Sequence, residues 1–422
     1  MTSSPLNTRS TSLKSLVLIW LFWALIVLAF QGVVNARFQP DRPDYATEWT
    51  QYETAHNSQK GKDFLTEPFM NFQVAWDSEF YLGIAVGGYD DPRITTGTLR
   101  DGSKLPLSYA FFPFYPATIA VAAAPLRLFG LNPIAAATLG GVLVSMLGTL
   151  LAMFSLYELT RTELGEAGGL RAAFYLLIFP TGFFLAQVYT EGLFIGLALG
   201  CLMLIKYKRF LAAAVLAALA TLTKAVGLAL VFPLLLGWAS TVDWGSVRRT
   251  GLQSVRSQLD GFHLSTLLVI LLPVIAYLIW SYFLGDKAFA IERDHFGRGL
   301  FNWPELSRGL KMMLDSFRDG SNSQMTTYYA IEVFGVVLAV IACLFTARRY
   351  PGLTLFSVFA LVLPVTGSAP QSIIRYVLAV PAIFIFLARL GRNIVFDKSW
   401  TIFSLLMMGM LLSLFTFNMW VA

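Results

Sequence analysis

Apolar positions in this chain fall in long runs, separated by two wide polar intervals at residues 35–107 and 285–326. Runs close to the roughly 20 residues that cover a bilayer core predict transmembrane helices. The first lies at 15–34. A second, 108–129, opens on Ser108-Tyr109-Ala110-Phe111-Phe112-Pro113-Phe114-Tyr115-Pro116, whose prolines are compatible with a helix start. The turn Gly130-Leu131-Asn132-Pro133 leads into a third at 133–157. Later runs at 264–284, 328–347, 352–366, 374–390 and 400–420 predict further spans.

Two stretches break the pattern. The run 170–205 is interrupted by Phe179-Pro180-Thr181-Gly182 and then carries Gln187, Tyr189, Thr190 and Glu191. If 133–157 runs outward and 188–205 inward, the piece 171–187 is a re-entrant or half-membrane helix broken at Pro180. Such backbone is expected to line a cavity. The run 210–238 is interrupted at Thr223-Lys224, which predicts a bent pair of half-helices with Lys224 at the outer apex. The sum is roughly 10 crossings, with no internal repeat.

Composition agrees. The chain is 56% hydrophobic and 13% charged, against roughly 25% charged for a soluble protein, and its mean hydropathy is +0.64. The expected fold is an all-α polytopic membrane protein, with one membrane domain over residues 15–420. The net charge of +6 calls for no nucleic-acid partner, because cytoplasmic loops of membrane proteins are rich in Lys and Arg. Arg9 and Lys14 place a disordered N-terminus, residues 1–14, in the cytoplasm. Lys206, Lys208 and Arg209, then Arg248, Arg249 and Arg256, then Arg348 and Arg349, then Arg389, Arg392 and Lys398 mark the same side. Both polar intervals then face outward. The first apolar run lacks a small-residue cleavage site and reads as a retained span. Cys201 and Cys343 lie in apolar runs and offer neither a disulfide framework nor a zinc motif.

Candidate chemistry concentrates at the outer end. Read as a helix, the stretch from Ala75 to Ala85 puts Trp76, Phe80 and Ile84 on one face and Asp77, Tyr81 and Ala85 on the next. Asp77 would sit just above the bilayer, placed to take a proton from a hydroxyl substrate. Glu191, Lys224 and Arg375 lie within or at the edge of apolar sequence, where an uncompensated charge costs at least about 2.5 kcal/mol at the bilayer centre. Lys224 and Arg375 suit a phosphate, one as a point charge and one as a fork. The plainer alternatives are a snorkelling Lys224, a Glu191–Lys224 internal ion pair, a loop charge at Arg375 and a solvated Asp77. In the second interval Glu292, Arg293, Asp294, His295 and Arg298 form a charged cluster. One histidine among acids is weak evidence for a metal. His56 and His263 read as ordinary polar residues.

Several motifs, in order from about residue 75 to 390, resemble the PIG-V-type mannosyltransferase family of the GT-C superfamily, whose members use polyprenyl-phosphate sugars. They are Trp76-Asp77-Ser78 through Tyr81-Leu82-Gly83-Ile84-Ala85 and Gly88-Tyr89; Ala110-Phe111-Phe112-Pro113-Phe114-Tyr115-Pro116; Phe179-Pro180-Thr181-Gly182-Phe183-Phe184 through Tyr189-Thr190-Glu191-Gly192-Leu193-Phe194; Thr221-Leu222-Thr223-Lys224-Ala225-Val226-Gly227; and Ile374-Arg375-Tyr376. Lys224 stands where that family more usually has Arg, Gly192 where it has Ser, and Phe296-Gly297-Arg298 where it has Trp-Gly-Arg.

The resemblance implies a GT-C-type helical bundle and an inverting transfer of a hexose, mannose in that family, from a polyprenyl-phosphate donor to a hydroxyl on a glycolipid, glycan or protein. Asp77 would be the general base, and Lys224 and Arg375 would hold the phosphate. Arg298 and His295 are further candidates for phosphate or acceptor. Glu191 would bind sugar hydroxyls or orient Lys224, and Trp76 and Tyr81 would stack on the sugar or line the lipid entry. No nucleotide-binding motif is present, as a lipid-linked donor requires. No metal is demanded, although some GT-C enzymes use a divalent ion. The implied location is the plasma membrane of a prokaryote or the endoplasmic reticulum of a eukaryote, with the site on the outer or luminal face. Three other readings share these residues: a transporter or flippase of a lipid-linked sugar, a non-catalytic component of a glycan-assembly complex, and a GT-C enzyme of another donor class that transfers glucose, arabinose or galactose.

Overall fold

The computed structural model describes residues 5–244 and 261–422, with side chains over 10–244 and 265–422. Arg248, Arg249, Arg256 and the side chain of His263 lie outside the described residues. The fold is an all-helical membrane bundle. The sole sheet among the described residues is an antiparallel ribbon in the first polar interval, β1 (Thr96–Thr98) against β2 (Lys104–Pro106), with Thr96 opposite Pro106.

The principal helices are α1 (Pro5–Arg37), α2 (Ser78–Gly87), α3 (Phe114–Leu126), α4 (Pro133–Ile178), α5 (Glu191–Lys206), α6 (Phe210–Thr223), α7 (Val231–Ala239), α8 (Gly261–Ile270), α9 (Leu272–Asp294), α10 (Trp303–Asp319), α11 (Ser323–Thr346), α12 (Pro351–Gly367), α13 (Ile373–Tyr376), α14 (Pro381–Leu390) and α15 (Ile394–Thr416). Among the described residues, five helices are long and apolar enough to cross a membrane. The segment from Ile373 to Leu390 makes a sixth, bent by 80° ahead of Pro381. Much of the remaining apolar sequence forms helices of 10–17 residues. The count of five takes each helix singly by length and composition, with α4 entered once although Gly165 divides it into two limbs.

Helix α1 begins at Pro5, so residues 5–14, expected to be disordered, are helical. The proline sits where its missing N–H costs nothing, and no glycine or second proline follows until Gly32.

The path of residues 108–206 differs from the alternation assumed from sequence. Tyr115 on α3 hydrogen-bonds Ser145 at 2.8 Å, and a Cβ at Gly140 would meet Ile119 O and Ala123 N. Helix α3 therefore runs beside only the first part of α4 and turns back without crossing. Helix α4 is antiparallel to α1: Ser12 bonds Tyr157, and Trp20 Nε1 donates to Met146 O at 2.9 Å. The stretch 133–157 thus runs opposite to the first span, not parallel with it. Gly165, at φ 75°, then folds α4 back on itself, and Gly169 packs against Tyr157. The returning limb, the break at 179–190 and α5 complete a regular down, up and down path.

The break at Pro180 falls where the sequence indicated, and it is enclosed in protein. Residues 175–192 are buried throughout. Carbonyls freed by the break are satisfied by hydroxyls from neighbours: Ile178 O by Ser404, Leu185 O by Thr149, Val188 O by Ser78 and Tyr189 O by Ser145. Burial in protein is the other permitted setting for irregular backbone at such depth.

Two ends of the bundle are distinct. At one, Glu158 and Glu163 meet Lys206, Arg161, Arg349 and Arg389. At the other lie α2, the β-ribbon and α10. Helix α9 extends to Asp294, and α10 occupies most of the second polar interval.

Candidate active site

Asp77, Arg375, Glu191 and Lys224, drawn from four separate parts of the chain, meet at the loop-bearing end. Arg375 Nη1 lies 3.0 Å from Asp77 Oδ2. Its Nε lies 3.6 Å from Glu191 Oε1. Lys224 Nζ donates to the same Glu191 oxygen at 2.8 Å. The result is an alternating row, acid, base, acid, base. Its middle is buried, with the side chains of Arg375 and Glu191 at 5% and 3% exposure. Its ends are open, with Asp77 at 27% and Lys224 at 25%. Alternation offsets part of the desolvation penalty that any one of these charges would carry alone.

Each group is placed by a local break in the helices. Asp77 precedes α2 but makes no capping bond to it, so its carboxylate is left for Arg375. Ser78 does the local work instead: its hydroxyl accepts from Ala75 N at 3.1 Å and donates to Val188 O at 3.0 Å. Two further bonds tie this segment to the buried break, Val188 N to Gln73 O and Tyr189 OH to Ala75 O. Beneath it Gln31, Gln73 and Gln187 form a buried amide cluster. Glu191 opens α5, where the helix dipole favours an anion. Lys224 has extended backbone, φ −158° and ψ 134°, between α6 and the 3-10 turn Ala225–Leu230. That interruption aims a lysine into the row.

Aromatic rings frame the cations. The Arg375 guanidinium lies 5.1 Å from the rings of Tyr189 and Tyr376 and 5.6 Å from Phe184. Lys224 Nζ lies 4.6 Å from the Tyr376 ring. Arg298 also faces this group. It stands 3.9 Å from Glu292, and its guanidinium is pushed up from its ordinary value, chiefly by Tyr376, with Glu292 and Asp77 adding to the effect. Tyr376, Tyr189 and Glu292 were not singled out as site residues from sequence. The signal available was adjacency: Tyr376 follows Arg375, Tyr189 precedes Glu191 by two positions, and Glu292 heads the charged cluster.

Three expected site residues are not members of the charged row. Tyr81 is buried among Phe111, Tyr115 and Tyr189, and its hydroxyl bonds Thr190, next to Glu191. Trp76 does not share a helix face with Phe80. Its φ of 51° places it before the helix, where it packs edge-on to Trp49 and Trp420, while Phe80 stacks on Phe111. His295 lies against β1, its Nδ1 3.1 Å from where a Cβ of Gly97 would be, and burial pushes it down from the ordinary imidazole range.

A divalent ion does not fit the residues present. Among the described residues no three His, Cys, Asp or Glu side chains converge. Asp77, Glu191 and Glu292 each already face a cation.

No family model matches the chain, and no curated protein matches it in sequence. Among solved structures it is similar to ArnT from Cupriavidus metallidurans bound to undecaprenyl phosphate, at 15% identity and TM-score 0.44, over 78% of this chain and 58% of that one. It is also similar to the Archaeoglobus fulgidus oligosaccharyltransferase in complex with Zn and sulfate, at 16% identity and TM-score 0.42, over 95% of this chain and 53% of that one. The oligosaccharyltransferase AglB of Archaeoglobus fulgidus, in complex with an inhibitory peptide and a dolichol-phosphate, gives 14% identity and TM-score 0.42, over 94% and 56%. The matched part is thus just over half the length of each of these proteins. Similarity this low sets no residue correspondence.

Proposed function

We propose that this protein is an inverting glycosyltransferase of the GT-C type, moving a hexose from a polyprenyl-phosphate to a hydroxyl acceptor at the loop-bearing end. The observation that carries the reading is the row itself: a carboxylate at its open edge, fixed by a buried arginine, with two more cations gathered around Tyr376. The motif resemblance makes mannose the first donor to try.

The geometry divides the work among the residues. Arg375 grips Asp77 Oδ2, while Oδ1 has no partner among the described residues and takes the proton of the acceptor hydroxyl. The acceptor oxygen bonds to the anomeric carbon as the bond from that carbon to the phosphate oxygen breaks. The electron pair leaves with the phosphate, which gains one negative charge. Lys224 and Arg298, the more open cations, stabilise that gain. Arg375 was assigned to the phosphate from sequence; its position between two carboxylates supports a different role, that of orienting the base. Glu191 orients Lys224. Trp303, Pro304, Leu306, Ser307 and Leu310 make an open, mostly apolar face at the start of α10. The acceptor class is left to experiment.

The test uses purified protein in nanodiscs, a short-chain polyprenyl-phosphate [14C]mannose and a lipid extract of the source organism. Labelled product that disappears in Asp77→Asn supports the reading. Product with another polyprenyl-phosphate sugar keeps the mechanism and corrects the donor. Donor that binds but is never transferred, whatever its sugar, overturns the enzyme in favour of a transporter.

A further inference from the structure

We propose that Glu332, on α11, is a positioning residue for Arg375; its consequence for transfer rests on the functional reading above, while its structural part does not. Glu332 is 1% exposed in the middle of an apolar helix, a place where a carboxylate is costly and needs a reason. Its Oε2 accepts the N–H of Ile374 at 2.8 Å, and the N–H groups of Ile373 and Ser372 also turn towards it. Ser372 has φ 61° and ψ 15°, a left-handed conformation that a serine adopts only when its surroundings impose it. A left-handed residue followed by right-handed ones makes successive amides converge into a concave anion seat. Here the seat is filled by a side chain of the protein itself.

The same face of α11 fixes this segment at two more points. One turn earlier, Tyr328 OH accepts the N–H of Ser372 at 3.1 Å. One turn later, Gly335 lets α11 approach so closely that a Cβ there would lie 2.9 Å from Ile374 Cδ1. Tyr328 belongs to a buried cluster against which Trp420 packs, and the Trp420 ring lies 5.1 Å from that of Trp76, the neighbour of Asp77. Helix α11 therefore secures both partners of the Arg375–Asp77 pair: Glu332 through the turn that carries the arginine, and Tyr328 through the tryptophans beside the aspartate. A four-residue helix between two breaks has little stability of its own, so the direction of the Arg375 side chain depends on this clamp.

The experiment measures hydrogen exchange by mass spectrometry on the full chain in nanodiscs, with transfer and thermal unfolding measured on the same samples. Glu332→Ala removes the acceptor of a buried backbone bond, so amides 372–377 exchange at least about tenfold faster, while the peptides of α4 are unchanged. Glu332→Gln, which retains one acceptor oxygen, restores part of the protection. Combined with Arg375→Lys, Glu332→Ala lowers transfer by less than the product of the two single effects, whereas their effects on unfolding temperature add. Should Glu332→Ala fail to fold, Glu332→Gln and Tyr328→Phe carry the test, each with a smaller rise in exchange at the same amides. Unchanged exchange in these variants, or transfer losses that multiply fully, overturns the proposal. Faster exchange in a protein whose wild type transfers no sugar upholds the clamp and refutes the transferase reading instead.

Discussion

Replacing Arg375 with glutamine removes the cation that stands between two acids. Glu191 keeps Lys224 at 2.8 Å, so its loss is partial. Asp77 is left without a cation within 4.0 Å among the described residues. Breaking a buried pair from one side costs about 3–5 kcal/mol, most of it the stranded charge. Asp77 keeps 27% of its side chain exposed, which places the expected loss near about 3 kcal/mol. The double variant Arg375→Gln with Asp77→Asn strands no charge at that end and should regain about 2 kcal/mol of this. Thermal unfolding in detergent, followed by intrinsic fluorescence, reads the cycle. The expected order of stability is wild type, then the double variant, then Arg375→Gln. Transfer is absent from both variants, because the base is either unheld or gone. A double variant as unstable as the two single changes summed shows that Arg375 and Asp77 do not act as a pair, and the assignment of Arg375 as the holder of the base falls with it.

Three other outcomes follow from the same geometry. Lys224→Ala and Arg298→Ala should each weaken binding of a short-chain polyprenyl phosphate by about tenfold or more, through loss of one charge-assisted contact worth about 1.5–3 kcal/mol; titration calorimetry with both variants at wild-type affinity would remove them from the phosphate site. Gly192→Ser, the residue more usual in the resembling family, should destabilise this chain by about 1–3 kcal/mol or more, because a Cβ there would lie 2.2 Å from Ser145 O; an unchanged unfolding temperature contradicts the close packing of α4 on α5. Lys60→Cys, at an exposed position, should react with an impermeant maleimide from the side that bears the loops, and Arg349→Cys from the opposite side; the reverse pattern inverts the proposed orientation.

Much of this arrangement was legible without coordinates, and the reason is local. Long apolar runs determine that the chain is a helical membrane protein, since hydrophobicity is a property of each residue and its neighbours. The breaks at Pro180 and Lys224 were legible for the same reason: a proline and a lysine inside apolar sequence disrupt a helix or demand a partner wherever the chain goes. Asp77, Glu191, Lys224 and Arg375 stood out because charge is expensive in such settings. What they do to one another was not legible. Sequence reads Arg375 as a phosphate ligand; the structure sets Asp77 and Glu191 on either side of it, nearly 300 and 200 positions away in the chain.

Direction was equally a tertiary matter. The run at 108–129 has the composition of a span, yet α3 turns back because Tyr115, Ile119 and the glycines of α4 fit one another, and that one decision reverses the sense of α4. Tyr81 illustrates the same limit on a smaller scale. The rings of Phe111, Tyr115 and Tyr189 enclose it, and that burial depends on residues that no local window contains. Sequence alone determined the solvent this chain folds in and which residues would be costly there; only the packed structure decided which of those costs offset one another, because ion pairs and hydrogen bonds are formed between groups that the chain brings together last.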